Sequence, residues 1–146
     1  MSMVRKALPG EEKAVASLAH QLWPAGSLQE FTEEFEELLL STDCCVFLAF
    51  HGAACVGFAQ CQLRRDYVEG TDSSPVGYLE GIYVSPAYEK QGYGRRLLAA
   101  CEQWARESGC TEFASDCPLE NRQSLAFHLA AGFTEANRII CFVKKL

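Results

Sequence analysis

The run "YLEGIYVSPAYEKQGYGRRLLAACEQWA", Tyr78 to Ala105, constrains this chain more than any other stretch. Its first part is apolar with β-branched and aromatic residues and reads as a strand ending at Ser85-Pro86. Gly92 and Gly94 then open an amphipathic helix. A strand that feeds a helix through a glycine turn points to an α/β chain.

The remaining elements alternate around that unit. "VRKAL" is a short first strand, and "EEKAVASLAHQLW" places Val15, Leu18, Ala19 and Leu22 on one helical face. Ser27, with Glu30 three residues on, caps a second helix whose apolar stripe is Leu28, Phe31, Phe35, Leu38 and Leu39. "CCVFLAF", "HGAA" and "CVGFAQCQLR" form a β-hairpin, and "RDYVEGTDSSPVG" is a polar loop. "EFASD" is a strand, "LENRQSLAFHLAAGF" a helix stopped at Gly132, and "NRIICFVKKL" a terminal strand. The predicted order β-α-α-β-β-β-α-β-α-β is an α/β (α+β) fold with a mixed central sheet flanked by helices. At 146 residues the chain is expected to form one domain, residues 1–146.

Charge and cysteine usage narrow the function. The net charge of −6 argues against nucleic acid, which demands a basic footprint. No apolar run reaches a membrane span, and "MSMVRKALPGEEKA" lacks the apolar core of a signal peptide, so a cytoplasmic location is expected. In that compartment the 8 cysteines are thiols, read as small buried hydrophobes. With only 3 histidines and no suitable cysteine spacing, no metal site is expected.

A helix N-terminus offers unpaired N–H groups and the positive end of a dipole. Glycines there let phosphate oxygens approach the backbone, so Gly92 and Gly94 suggest an anion site, with an ordinary turn as the alternative. A P-loop would need Lys-Ser/Thr after the glycine, where this chain has Arg95-Arg96. A dinucleotide fingerprint would need a third glycine in place of Leu97.

"GIYVSPAYEKQGYGRRLL" followed by "ENRQSLAFHLAAGF" resembles the GNAT acyltransferase superfamily. That resemblance implies splayed strands at an acetyl-CoA site, with the cofactor pyrophosphate gripped by Gln91, Gly92, Tyr93, Gly94 and Arg95. The superfamily loop usually begins with Gln or Arg, where this chain has Glu89, so the backbone N–H groups rather than that side chain are the expected ligands. "LWP", "RRDYVEGTDSSPVGYLEGIYV", "GCTEFASD" and "GFTEANRIICFVKKL" are similar to the aminoglycoside 6′-N-acetyltransferases of that superfamily. The implied partner is an aminoglycoside. Acetylation of polyamines or another cellular amine, and a non-catalytic CoA- or aminoglycoside-binding module, are the alternatives.

The charge pattern suits such a pair of substrates. Lys90, Arg95 and Arg96 cluster at the turn, whereas Asp66, Glu69, Asp72, Glu80, Asp116, Glu120 and Glu135 lie on other elements. A polyanionic donor and a polycationic acceptor would be steered apart by that segregation. The alternative is that these acids are merely a solvated surface.

Unbroken alternation puts Tyr78, Glu80, Ile82 and Val84 on one strand face. An ionised carboxylate there must be paired or face a polar cleft. Glu80 is therefore either the anchor and base for an acceptor ammonium, or a structural ion pair with Arg64 or Arg138. Backbone groups of Ile82, Tyr83 and Val84 are expected to hold the pantetheine and thioester. The resemblance implies that Asn121 contacts the cofactor, with His128 standing where a tyrosine commonly lies near the departing sulfur. His128 is thus a candidate general acid or a structural histidine. Trp23 and Tyr67 are candidate walls for the acceptor ring, Trp23 also reading as core, with Asp116 and Glu135 as further acceptor carboxylates. "RIICFV" shows no exposed-face alternation and is expected to be buried on both sides. A homodimer that exchanges C-terminal strands fits it, as does a monomer with a covered strand.

Overall fold

The computed structural model describes residues 2–146. The elements run β1 (Ser2–Lys6), α1 (Glu12–Leu22), α2 (Leu28–Leu38), β2 (Cys44–His51), β3 (Ala54–Arg64), β4 (Val76–Val84), a 3-10 turn (Pro86–Tyr88), α3 (Tyr93–Glu107), β5 (Phe113–Ser115) and α4 (Arg122–Ala130). One sheet of five strands is ordered β1-β2-β3-β4-β5. The first three pairings are antiparallel and β4–β5 is parallel, so the sheet is mixed as expected.

Both sheet faces are covered, and the alternation along β2 shows how. Val46 and Leu48 join Val15, Leu18, Phe35 and Phe58 beneath α1 and α2. Cys45 and Ala49 point the other way, into a cluster with Cys61, Leu79, Leu97, Leu98 and Cys101 under α3. Leu97 is fully buried, a burial worth about 1.5–3 kcal/mol. On α2, Ser27 accepts the Glu30 N–H at 3.3 Å, as the cap signal predicts. Only Phe35 of that helix is buried, and Leu28 of the expected stripe is 49% exposed.

The alternation expected for β4 breaks at one residue. Gln60 of β3 lies opposite Gly81, but Cys61 lies opposite Leu79, which leaves Glu80 without a partner. Glu80 is thus the extra residue of a β-bulge. The slip reverses the side-chain parity: Leu79, not Tyr78 or Glu80, shares the α3 face with Ile82 and Val84. Tyr78 packs instead with Val68 and Val76.

The terminal strand does not form. Residues 134–146 have no regular structure, and Ile139, Ile140, Phe142 and Val143 are 69–94% exposed. The expectation that "RIICFV" is buried on both sides is therefore incorrect for a single chain. A strand needs an edge to pair with, and within this chain the sheet ends at the three-residue β5.

Candidate active site

The site grows from the place where two parallel strands stop pairing. β5 pairs with β4 only from Gly77 to Leu79, its last rung being Leu79 opposite Ser115. β4 continues to Val84 while β5 ends, so the β5-facing backbone groups of β4 beyond Leu79 have no strand partner. Ile82, Tyr83 and Val84 line this opening. Such a notch presents a row of donors and acceptors to an extended ligand.

Glu80 sits at the head of the notch, where its bulge re-aims the side chain. Of the two arginines expected as partners, Arg64 takes it: Arg64 Nη2 donates to both carboxylate oxygens at 2.9 Å, and Nε to Oε2 at 3.1 Å. The guanidinium also lies 3.5 Å from the Tyr78 ring centroid, a cation–π contact. Tyr78 in turn donates its hydroxyl hydrogen bond to Asp116. Burial, reinforced by the Asp116 carboxylate, pushes the Tyr78 hydroxyl well above the usual tyrosine range, so it stays a donor. Asp116 and Glu80 thereby belong to one network, Asp116–Tyr78–Arg64–Glu80. A carboxylate has about four lone-pair directions, and Arg64 leaves Glu80 room for a further donor.

Trp23 is both core and wall. Its ring packs against Phe31 and Phe58 and also covers Gly81, where an added Cβ would lie 2.5 Å from the indole. Gly81 is thus required for the indole to reach the residue beside Glu80. Tyr83 points to the same α1-facing side, donating from its hydroxyl to Gln21 of α1 at 2.8 Å.

His128 is held at both nitrogens. Nδ1 lies 2.7 Å from the Ser124 carbonyl oxygen, which can only accept, so this nitrogen carries the hydrogen. In the neutral ring Nε2 then accepts the Ser115 hydroxyl at 2.8 Å. Ser115 closes the last β4–β5 rung, so His128 reaches the head of the notch through that hydroxyl. Ser115 is a functional candidate that sequence reasoning missed; its only signal was a hydroxyl beside Asp116 at a strand end.

At the other end of the notch, Gly92 is the N-cap of α3 in the left-handed region, φ 87°, with open space around it. No side chain caps α3, and no acidic residue lies in its first turn, so its leading N–H groups remain available to an anion. Gly94 has a second use: an added Cβ would meet Phe127 of α4 at 3.2 Å. Gln91, Arg95 and Arg96 are exposed around this terminus. Asn121 is the N-cap of α4, its Oδ1 accepting the Ser124 N–H at 3.0 Å.

The remaining sequence candidates make no hydrogen bond to the Glu80 network. Tyr67 is 81% exposed and bonds Glu69, which also accepts from Asn137 at 2.9 Å. Glu135 pairs with Arg138 at 2.6 Å on the exposed tail. No group of described residues has the make-up of a metal site, and no described helix is long and apolar enough to cross a membrane.

Residues 13–133 match the model of the acetyltransferase (GNAT) family. The chain belongs to the GNAT family. An aminoglycoside N(6′)-acetyltransferase type 1 of Stenotrophomonas maltophilia is 45% identical over 95% of this chain and 90% of its own. The protein of that name from Klebsiella aerogenes is 42% identical over 99% of this chain and 97% of its own. Among solved structures, AAC(6′)-Iy in complex with the bisubstrate analog CoA-S-monomethyl-acetylneamine superposes with a TM-score of 0.95 at 36% identity. That match covers 100% of this chain and 99% of the other. The GNAT assignment accounts for the parted strands and the uncapped α3 terminus together, since acetyl-CoA presents a linear pantetheine arm joined to a pyrophosphate.

Proposed function

We propose that this protein is an aminoglycoside 6′-N-acetyltransferase, moving the acetyl group of acetyl-CoA to the 6′-amine of aminoglycosides and so conferring resistance. The observation that carries this reading is Glu80, bulged out where β4 and β5 part and linked through Arg64 and Tyr78 to Asp116. Relatives bearing that name over nearly the whole chain support it. In this reading residues 1–146 are one catalytic domain that needs no metal.

Acetyl-CoA lies in the notch, with its pyrophosphate at the N–H groups of Gly92 to Arg95 and its thioester against Ile82–Val84. Asn121 keeps its amide N–H₂ free for the cofactor while its oxygen caps α4. The acceptor's ammonium docks on Glu80 with Asp116 nearby, and Trp23 and Tyr67 flank the sugar rings. Glu135 adds a carboxylate from the tail. The ammonium first loses a proton through water beside Glu80, because only the free amine has a lone pair. Its nitrogen then bonds to the thioester carbon while the C–S bond breaks, and the released proton ends on the CoA thiolate. Ser115 Oγ lies 2.8 Å from His128 Nε2; with a hydrogen on Nε2, His128 donates to that oxygen and leaves the Ser115 hydroxyl hydrogen free to turn to the sulfur.

The exposed apolar tail supports a homodimer in which C-terminal segments pair on the partner's sheet edge. Sedimentation of the full chain should give a dimer, and a chain ending at Asn137 a monomer; a monomeric full chain overturns this part. Free cysteines and a CoA substrate support a cytoplasmic location.

CoA release in a thiol assay with tobramycin, kanamycin and spermidine tests the function. Release with the two aminoglycosides and little with spermidine is expected. The reverse order makes it a polyamine enzyme. Binding without release makes it a non-catalytic module.

A further inference from the structure

Gly92 shapes the cofactor turn but does not hold it in place, since nothing lies near its Cα and no side chain caps the helix. Lys90 is the one non-glycine among the described residues with positive φ, 61°. Such a conformation is uncommon in a non-glycine residue and persists only where surroundings impose it. Three rings provide those surroundings. Tyr88 closes the 3-10 turn before the loop, and Tyr93 is the first residue of α3 after it. Both pack on His51, the last residue of β2, with ring centroids at 5.2 and 6.5 Å, and they lie 6.4 Å from each other, edge to face.

The polar tips match as well. Tyr93 is 3% exposed, so its hydroxyl needs a partner, and His51 Nδ1 lies 2.9 Å away. A single imidazole thus touches both ends of the segment 89–92. Glu89 brings a carboxylate rather than a cation to the start of the loop, so the loop depends on its backbone geometry.

We propose that His51 is a positioning residue for the acetyl-CoA phosphate loop, clamping Tyr88 and Tyr93 so that the leading N–H groups of α3 converge on the pyrophosphate. The inference rests on reading Gln91–Arg95 as that loop. His51 does not touch the cofactor; it acts through Tyr93. The hydrogen bond survives either ring tautomer, because a phenol both donates and accepts.

Calorimetric titration with acetyl-CoA, with kinetics on tobramycin, tests the clamp. His51→Ala and Tyr93→Phe should each weaken acetyl-CoA about tenfold, the scale of one lost hydrogen bond. The double variant should be no worse than the weaker single, because both remove the same contact. His51→Asn, which keeps a polar atom near the Nδ1 position, should recover most of the affinity. KM for tobramycin should stay within about twofold in all of them, a split that general loss of packing would not produce. Unchanged acetyl-CoA affinity in folded His51→Ala and Tyr93→Phe, additive losses, or equal rises in both KM values each overturn the proposal. Gly92→Glu separates the two layers. If it abolishes acetyl-CoA binding while His51→Ala and Tyr93→Phe bind normally, only the clamp fails. If Gly92→Glu binds normally, the loop reading fails and takes the clamp with it.

Discussion

Arg64 grips both carboxylate oxygens of Glu80, with Nη2 2.9 Å from each, while its guanidinium stacks 3.5 Å from the centre of the Tyr78 ring. The pair is half-buried, so neither charge is fully desolvated, and removing one partner strands the other at the head of the notch. Glu80 is therefore held in one orientation before any acceptor arrives, the preorganisation that binding an ammonium requires.

Glu80→Gln should keep acetyl-CoA affinity and lose kcat/KM for aminoglycosides by ~10²-fold or more if Glu80 moves the proton. A loss confined to KM marks an anchor instead. Steady-state kinetics with tobramycin, paired with calorimetry for acetyl-CoA, reads the two cases apart. Near-wild-type values for both constants would leave the Arg64 pair as a purely structural bridge.

Ser115 and His128 are predicted to act as one unit. Ser115→Ala should lower kcat, and His128→Ala added to it should cost little more, since the imidazole reaches the notch only through that hydroxyl. A thiolate is a good leaving group, so the drop should be modest, about 3- to 30-fold. Strictly additive losses would mean that His128 meets the substrates directly.

Stability should carry a specific acid limb. Arg5 donates to both Glu11 oxygens at 2.7 and 2.8 Å and the Leu8 N–H adds a bond at 2.8 Å. Chiefly through Arg5, these hold the Glu11 carboxyl at about 2, against an ordinary 4.5. A depressed folded-state pKa stabilises above the unfolded value and is lost as pH falls through the folded one. With side chains 34% and 28% exposed, solvent screening reduces the contribution to about 1 kcal/mol. Glu11→Gln should therefore be less stable than wild type at pH 7, with the gap closing as pH falls from 4.5 towards 2. Urea melts across that range check it; a gap independent of pH contradicts it.

Elements set by local chemistry were legible in the chain. Ser27 was readable as a cap, Gly92 as the turn into α3, and the two helices before the hairpin by their apolar spacing. Features that depend on what lies across a strand were not. The bulge at Glu80 is a mismatch of register between β3 and β4, invisible in either strand alone, and it overturned the face assigned to Tyr78 and Glu80. Ser115 acquires meaning only from α4 folding His128 onto it. Arg64 and Arg138 carried equal claims on Glu80 until β3 placed one beside it and Glu135 took the other. The tail had the composition of a strand but finds no edge to complete within its own chain.

The position acetylated on the acceptor tests the central claim most directly. Tobramycin and kanamycin carry an amine at 6′, whereas paromomycin is a comparable polycation with a hydroxyl there. If the Glu80–Asp116 side of the notch presents the 6′-substituent to the thioester, position decides reactivity more than charge does. NMR of the tobramycin product should show a single acetyl group, on the 6′-nitrogen. Paromomycin should bind, inhibit competitively and release no CoA, and its binding should weaken with salt as steering is screened over ~10 Å at 0.1 M. Acetylation at another ring amine, or rapid turnover of paromomycin, would contradict the account.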